Sequence, residues 1–148
     1  MPSLWLDRLT ACPVTHAVEL AAQFAEKQQG VLAENLANID TPNYATRRLD
    51  PGAFQASLRE ALQSAGQNGT ARLVLRHNAQ FATGPDGHVQ AQPAREPAPN
   101  VLFHDGTNAR VEGLLSDVAK NSMSYDVSLS LLRARYDTLL RAIRGRTT

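Results

Sequence analysis

The chain has 148 residues with one cysteine, one tryptophan and an aromatic content of only 5%. A lone Cys12 excludes an internal disulfide and is read as either a small buried apolar side chain or a free thiol. With so few rings, much of the 43% hydrophobic content is alanine, which packs helices closely but buries little surface per residue. Net charge is missing too: 15 basic against 14 acidic side chains leave +1. No general field therefore draws the chain to nucleic acid or an anionic membrane, and its partners are expected to be proteins. No apolar run reaches the ~20 residues of a membrane-spanning helix. Met1 to Leu9 shows neither the basic leader nor the apolar stretch of a secretion signal.

Catalytic chemistry is equally thin. His16, His77, His88 and His104 are scattered, with no metal-site spacing to one another or to Cys12. There is no nucleophile elbow, phosphate loop or dinucleotide fingerprint. Asp7, Glu19, Glu26, Glu34, Asp40 and Asp50 fall mostly on polar faces, where carboxylates are solvated rather than paired for acid and base work. No cofactor, metal or enzymatic activity is expected.

What is present crowds the two ends. From Thr15 onward Val18, Ala22, Ala25, Leu32, Leu36 and Ile39 recur at spacings of three and four, with Gln29 interrupting, and Leu20, Phe24 and Val31 form an adjoining stripe. A helix apolar over more than one seam contacts more than one neighbour. Near the other end Leu115, Val118, Ser122, Tyr125, Leu129, Leu132, Tyr136, Leu139 and Ile143 follow a 3-4 repeat. Asn108 with Glu112 is its expected start and Gly145 its stop. Such a helix of ~33 residues would be ~50 Å long. It is matched to the N-terminal helix as an antiparallel coiled-coil partner. Arg133, Arg135, Arg141 and Arg144 lie off this seam, a solvated face suited to the C-terminal dipole.

The fold class is therefore mainly α, with elongated terminal helices paired as a coiled coil and a small irregular or β middle. Three segments are expected: 1–50, an N-terminal helical part; 51–107, a variable and partly disordered middle; and 108–148, the C-terminal helix. Leu4, Trp5, Leu6 and Leu9 suggest a short amphipathic piece, Trp5 either docking on a partner or folding back. In the middle, a short helix is expected at Phe54, Leu58, Ala61 and Leu62, and a linker over 64–69. A strand is expected at Leu73, Val74 and Leu75, and a turn at Pro85-Asp86-Gly87 leading to Val89.

The first helix must stop near Asp40-Thr41-Pro42-Asn43, where short polar side chains compete for the backbone and Thr41 precedes proline. Asn35 and Asn38 share its last turn and Tyr44 follows. An ordinary capped helix end is one reading. The run Asn35-Leu36-Ala37-Asn38-Ile39-Asp40-Thr41-Pro42-Asn43-Tyr44 also resembles the N-terminal signature of bacterial flagellar rod and hook proteins, roughly Asn-Ile-Ala-Asn-x-x-Thr-Pro-x-Tyr, with Leu36 in place of isoleucine. Asn121 to Leu129 resembles that family's closing helix, Asn-x-x-x-Tyr-x-x-x-Leu. Leu75-Arg76-His77 resembles a Pro-Arg-His-Leu stretch of the proximal rod type, although the proline is missing and Asn78 follows. The length suits the short rod proteins, the FlgC type being the nearest rival.

The resemblance implies an axial structural subunit of the flagellar basal-body rod that transmits motor torque. It further implies export by the flagellum's own type III machinery without a cleaved leader. Implied partners are other rod subunits, the basal-body adaptor and MS ring, and the export gate. Asn35, Leu36, Asn38, Thr41, Pro42 and Tyr44 would contact the next subunit. A cell-wall-cleaving enzyme would need a concave catalytic domain, for which the middle is too short and polar. A cytoplasmic helical adaptor or export chaperone would share the coiled coil without needing the Thr41-Pro42-x-Tyr44 motif.

Overall fold

The computed structural model describes residues 12–70, 72–96 and 111–145. The segment around Trp5 and the start expected at Asn108 lie outside them. The described chain is mainly helical, in the order α1 (Pro13–Ala37), β1 (Arg47–Arg48), α2 (Pro51–Asn68), β2 (Phe81–Thr83), β3 (Val89–Ala91), β4 (Ala94–Arg95) and α3 (Val111–Ile143). Pro13 opens α1 at a position where a missing N–H costs nothing. Pro51 does the same for α2, where the Asp50 carboxylate accepts from the N–H groups of Gly52 and Ala53 at 2.8 and 3.2 Å. Gly69 ends α2 with a left-handed φ of 64°, and Gly145 follows α3 with the same φ. The residues 64–69, expected as a linker, continue α2 through Asn68, and the buried Ala65 ties that last turn to the core.

α1 and α3 pack antiparallel along their length. Asn121 meets Ala25, Tyr136 meets Glu19, and the residues Leu131 to Thr138 flank Cys12 to Val18. The second α1 stripe does more than flank this pair. Leu20, Phe24 and Val31 join Leu49, Phe54, Ala61, Ala65, Leu73, Leu75, Phe81 and Val89 in one buried cluster. The middle thus shares its core with α1. Three phenylalanines mark its centre: Phe24 stacks on Phe54 with ring centroids 4.1 Å apart, and Phe81 meets both edge-on at 6.3 and 5.8 Å.

The small β elements close around this cluster. β2 and β3 form an antiparallel hairpin with Phe81 opposite Ala91 and Thr83 opposite Val89. Its turn is the expected one, closed by Gly87 N–H donating to Gly84 at 2.9 Å, with Gly87 at φ 86°. β1 pairs with β4, Arg47 opposite Arg95, and brings the end of the middle back to the exit of α1. No strand forms over Leu73, Val74 and Leu75. Their stretch is held by side chains instead of a ladder: the Leu73 N–H donates to His16 Nδ1 at 2.9 Å, Leu75 N–H to Thr83 Oγ1 at 2.8 Å, and Arg76 N–H to Ser57 Oγ at 3.1 Å. Side chains from three separate elements satisfy donors that a neighbouring strand would otherwise take.

Candidate functional site

The end of α1 is built around Asn35, whose side chain is only 2% exposed. Its Nδ2 donates to the Arg47 carbonyl at 2.7 Å, and its Oδ1 accepts from the Arg47 N–H at 2.9 Å. The carboxamide therefore reads a backbone edge as a strand neighbour would. The Tyr44 hydroxyl donates to the same Oδ1 at 3.1 Å. Burial first, and then the Glu34 carboxylate, push the Tyr44 phenol above its ordinary pKa against the opposing Arg47 charge. It remains a donor. Glu34 and Arg47 add an exposed ion pair at 3.3 Å that contributes little by itself.

Asn38 caps the helix in another way. Its Nδ2 bonds back to the Glu34 carbonyl at 2.8 Å, its Oδ1 accepts from the Thr41 hydroxyl at 3.4 Å, and its carbonyl receives the Thr41 N–H at 3.0 Å. Tyr44 N–H closes the next turn onto Thr41 at 3.1 Å, and Asn43 takes a left-handed φ of 61°. Asn35, expected to reach a neighbouring chain, is buried and bonded within the subunit, whereas Tyr44 bonds Asn35 through its hydroxyl and remains half-buried. Buried amides need partners, and Arg47 supplies them. Leu36, Thr41 and Pro42 are exposed on the outside of the turn.

The α3 seam differs from its expected register. Facing α1 and buried are Leu114, Asn121 and Ser128, a seven-residue spacing that contains two polar residues. Leu115, Tyr136 and Ile143, expected in the seam, are 52, 46 and 60% exposed. Val118, Leu129, Leu132 and Leu139 are half-buried and Tyr125 sits at the edge; on α1, Leu32 is buried, Val18 and Ile39 are half-buried, and Leu36 is exposed. At the start of α3 the contact face is offset by one residue, about 100° of helical rotation. The physical reason lies in α1. Its alanines allow close approach, and Asn121 uses that closeness to donate to the Ala25 carbonyl at 2.9 Å and to Gln29 Oε1 at 2.8 Å. The stretch Asn121 to Leu129 was visible in the sequence, but a polar residue inside an apolar repeat reads as a gap, not as the anchor.

Two polar contacts escaped sequence reasoning, one of them made by Tyr136, which was expected as a seam residue. Tyr136 donates to Glu19 Oε1 at 2.9 Å, and this bond, with the carboxylate charge, raises its pKa. His16 accepts the Leu73 N–H through an unprotonated Nδ1. Burial chiefly lowers its pKa, Arg72 adds to that effect, and Glu19 opposes it. Because the folded value lies below the unfolded one, about 6.5, the unfolded state takes up the proton first. The stability conferred by neutral His16 is intact above that pH and is lost as pH falls through it toward the folded value. The urea midpoint is expected to drop between about pH 7.5 and about pH 5.5, and His16→Asn, which keeps an acceptor that does not titrate there, to flatten the drop. An equal drop in the variant would exclude His16 as the cause.

Cys12 is half-buried at the start of α1, where the N–H groups of Thr15 and Val14 hold its thiol below the ordinary value. Among the described residues no three His, Cys, Asp or Glu side chains converge as a metal site would need. No described helix is long and apolar enough to cross a membrane.

What remains uncovered is apolar. Val111, Leu115, Tyr136, Leu140 and Ile143 run along one flank of α3, with Met123, Val127 and Leu131 on the opposite flank, all exposed. A helix with both flanks apolar and only one face covered is a surface for association.

No family model matches the chain. It is 35% identical over 121 residues to the flagellar basal body rod protein FlgB of Cereibacter sphaeroides, spanning 81% of this chain and 85% of that protein. It is 28% identical over 149 residues to the FlgB of Salmonella typhimurium, covering 95% of this chain and 98% of the relative. The Escherichia coli K12 protein of the same name is 29% identical over 95% of this chain and 98% of its own. With the helix-end signature, the paired terminal helices and these relatives in agreement, the chain belongs to the flagellar basal body rod protein FlgB family.

Proposed function

We propose that this chain is a structural, non-enzymatic subunit of the proximal rod of the flagellar basal body, stacking axially to transmit torque. The observation that carries the reading is the uncovered apolar flank of α3 on a chain of this family. Helical stacking through unlike surfaces leaves such flanks bare on a free subunit and extends without closing. The α1–α3 pair forms the inner, axial part, and the middle is displayed outside. The exposed turn residues Leu36, Thr41 and Pro42 add a second contact, held in place by Asn35, Asn38 and Tyr44. Other rod subunits are the neighbours, with the basal-body adaptor and MS ring at the base and the export gate as the route out. Export through the flagellum's own type III apparatus, without a cleaved signal peptide, and a periplasm-spanning location belong to the same proposal.

The test uses Leu115→Asp. This side chain is already half in water, so a carboxylate placed there stays solvated. Stability is expected to change by no more than about 1 kcal/mol. Export should continue while incorporation into basal bodies and swimming fail. Normal incorporation of this variant would remove the α3 flank from the assembly surface.

A further inference from the structure

A groove of about 470 Å³ runs between α1 and α3, lined only by residues of those two helices, so it opens away from the middle. Ala25, Gly30 and Ala33 floor it on the α1 side, and Tyr125 walls it on the α3 side. Gly30 keeps it open. A glycine inside a helix lowers stability relative to almost any residue except proline. Nothing in the subunit requires one here, because its backbone is not left-handed and a Cβ would have no neighbouring atom within 4 Å. Glu26 and Asp126 stand exposed beside it, one on each helix, and neither carboxylate makes an ion pair among the described residues. The groove therefore combines an empty apolar floor with two unused anions.

We infer that its occupant is the opposite flank of α3 from a second copy of this chain, with Met123 and Val127 over Gly30 and Lys120 toward Glu26 and Asp126. The inference rests on the axial-subunit reading and supplies the surface that this flank meets. Lys120, Met123 and Val127 follow one another at spacings of three and four, which places them on one face of the helix. That face is open. Met123 and Val127 are 69 and 58% exposed, and Lys120 has only a surface contact to Asp117 at 3.7 Å, of a kind that contributes little. The flexible thioether of methionine fits gaps of irregular shape. The charges match as well, one cation opposite two carboxylates, which fixes the register of the contact. Placement decides between the two flanks. By helical periodicity Asp126 shares its side of α3 with Leu115 and Leu140, so a copy offering that flank to the groove would meet it face to face and close as a dimer. Met123 and Val127 lie on the other side. Each copy can then fill one neighbour's groove and offer its own to the next, and the array grows without closing.

The experiment follows self-association of the purified full-length chain by sedimentation equilibrium up to millimolar concentration, with incorporation into basal bodies as a second readout. Gly30→Gln fills the groove with a good helix former, and its association constant is expected to fall about tenfold or more while the urea midpoint stays at or above that of the wild type. Gly66→Gln is the control: that glycine also faces open space, on α2 and outside the groove, and its replacement should leave association unchanged. Reversing the rims with Glu26→Lys and Asp126→Lys should weaken association by a similar factor. Adding Lys120→Glu to that chain should restore it to within about threefold, because every copy then carries both reversed surfaces. Absence of association in the wild type, or a Gly30→Gln chain that associates normally, would overturn the proposal. Loss without rescue by Lys120→Glu would give the groove to a different partner and also overturn it. If these contacts fail while the wild-type chain enters basal bodies, the rod reading stands without them. The expected pattern in a chain that never enters basal bodies would keep the contact and remove the rod reading.

Discussion

Asn35→Ala is expected to lower the unfolding free energy by about 2–4 kcal/mol, far more than the ~1 kcal/mol of a lost helix cap. The substitution removes little apolar surface. It strips the Arg47 N–H and carbonyl of their partner and leaves the Tyr44 hydroxyl without its acceptor, at a site where the amide is buried and its partners are half-open to water. A buried donor or acceptor left unmade costs about 1–3 kcal/mol. Asn35→Asp separates the contributions: a carboxylate still accepts from the Arg47 N–H and Tyr44 but faces the Arg47 carbonyl with a second acceptor. It should fall between alanine and wild type. Asn38→Ala should cost only about 1 kcal/mol, because its bonds are at the exposed helix end. Urea unfolding of the three variants checks the order. An Asn35→Ala cost no larger than that of Asn38→Ala would show that the Arg47 edge is not held by this amide.

The second large effect is expected at Phe54, where truncation to alanine should cost about 3–5 kcal/mol. Phe54 is 3% exposed and touches both other rings of the cluster, stacked on Phe24 and edge-on to Phe81. Those rings come from α1, α2 and β2, so the cavity opens where the middle is joined to the terminal helices. Phe54→Leu keeps most of the volume and should cost markedly less. Native-state amide exchange adds the location. In Phe54→Ala, protection should fall in α2 and the β2–β3 hairpin more than in the part of α3 near Asn121, which rests on separate contacts to α1. A loss below about 1 kcal/mol, or an even loss along the whole chain, would contradict a core centred on these rings.

For the rod itself the two variants differ from Leu115→Asp in kind. Asn35 and Phe54 support the shape of the subunit, whereas Leu115 is part of what the shape leaves uncovered. The first two should reduce the amount of folded protein, and the third should leave that amount intact and stop incorporation. Comparing protein level with basal-body content distinguishes the two modes.

Local chemistry in the sequence was enough for the existence of the helices, the end of α1 and the start of α2, but not for the end of α2, which runs on through the stretch expected as a linker. A 3-4 apolar repeat specifies a helix wherever it runs, Asp50-Pro51 starts one, and Thr41-Pro42 keeps α1 from continuing. The same local signals carried the family, because the Asn35 to Tyr44 motif is contiguous. Only the tertiary structure decided which face of α3 meets α1. A stripe wide enough for several neighbours has no single period, and the partner's alanines, together with the Asn121 bond to Ala25, select the register. It also decided what Asn35 does, since its partner is the backbone of Arg47, and a backbone edge has no side-chain signature. The core was illegible for a related reason. Leu73, Leu75, Phe81 and Val89 sit in runs too short to show a period, and their burial depends on α1 and α2 folding over them. Periodicity records how one element divides its own faces; which of those faces is covered is a property of the neighbour.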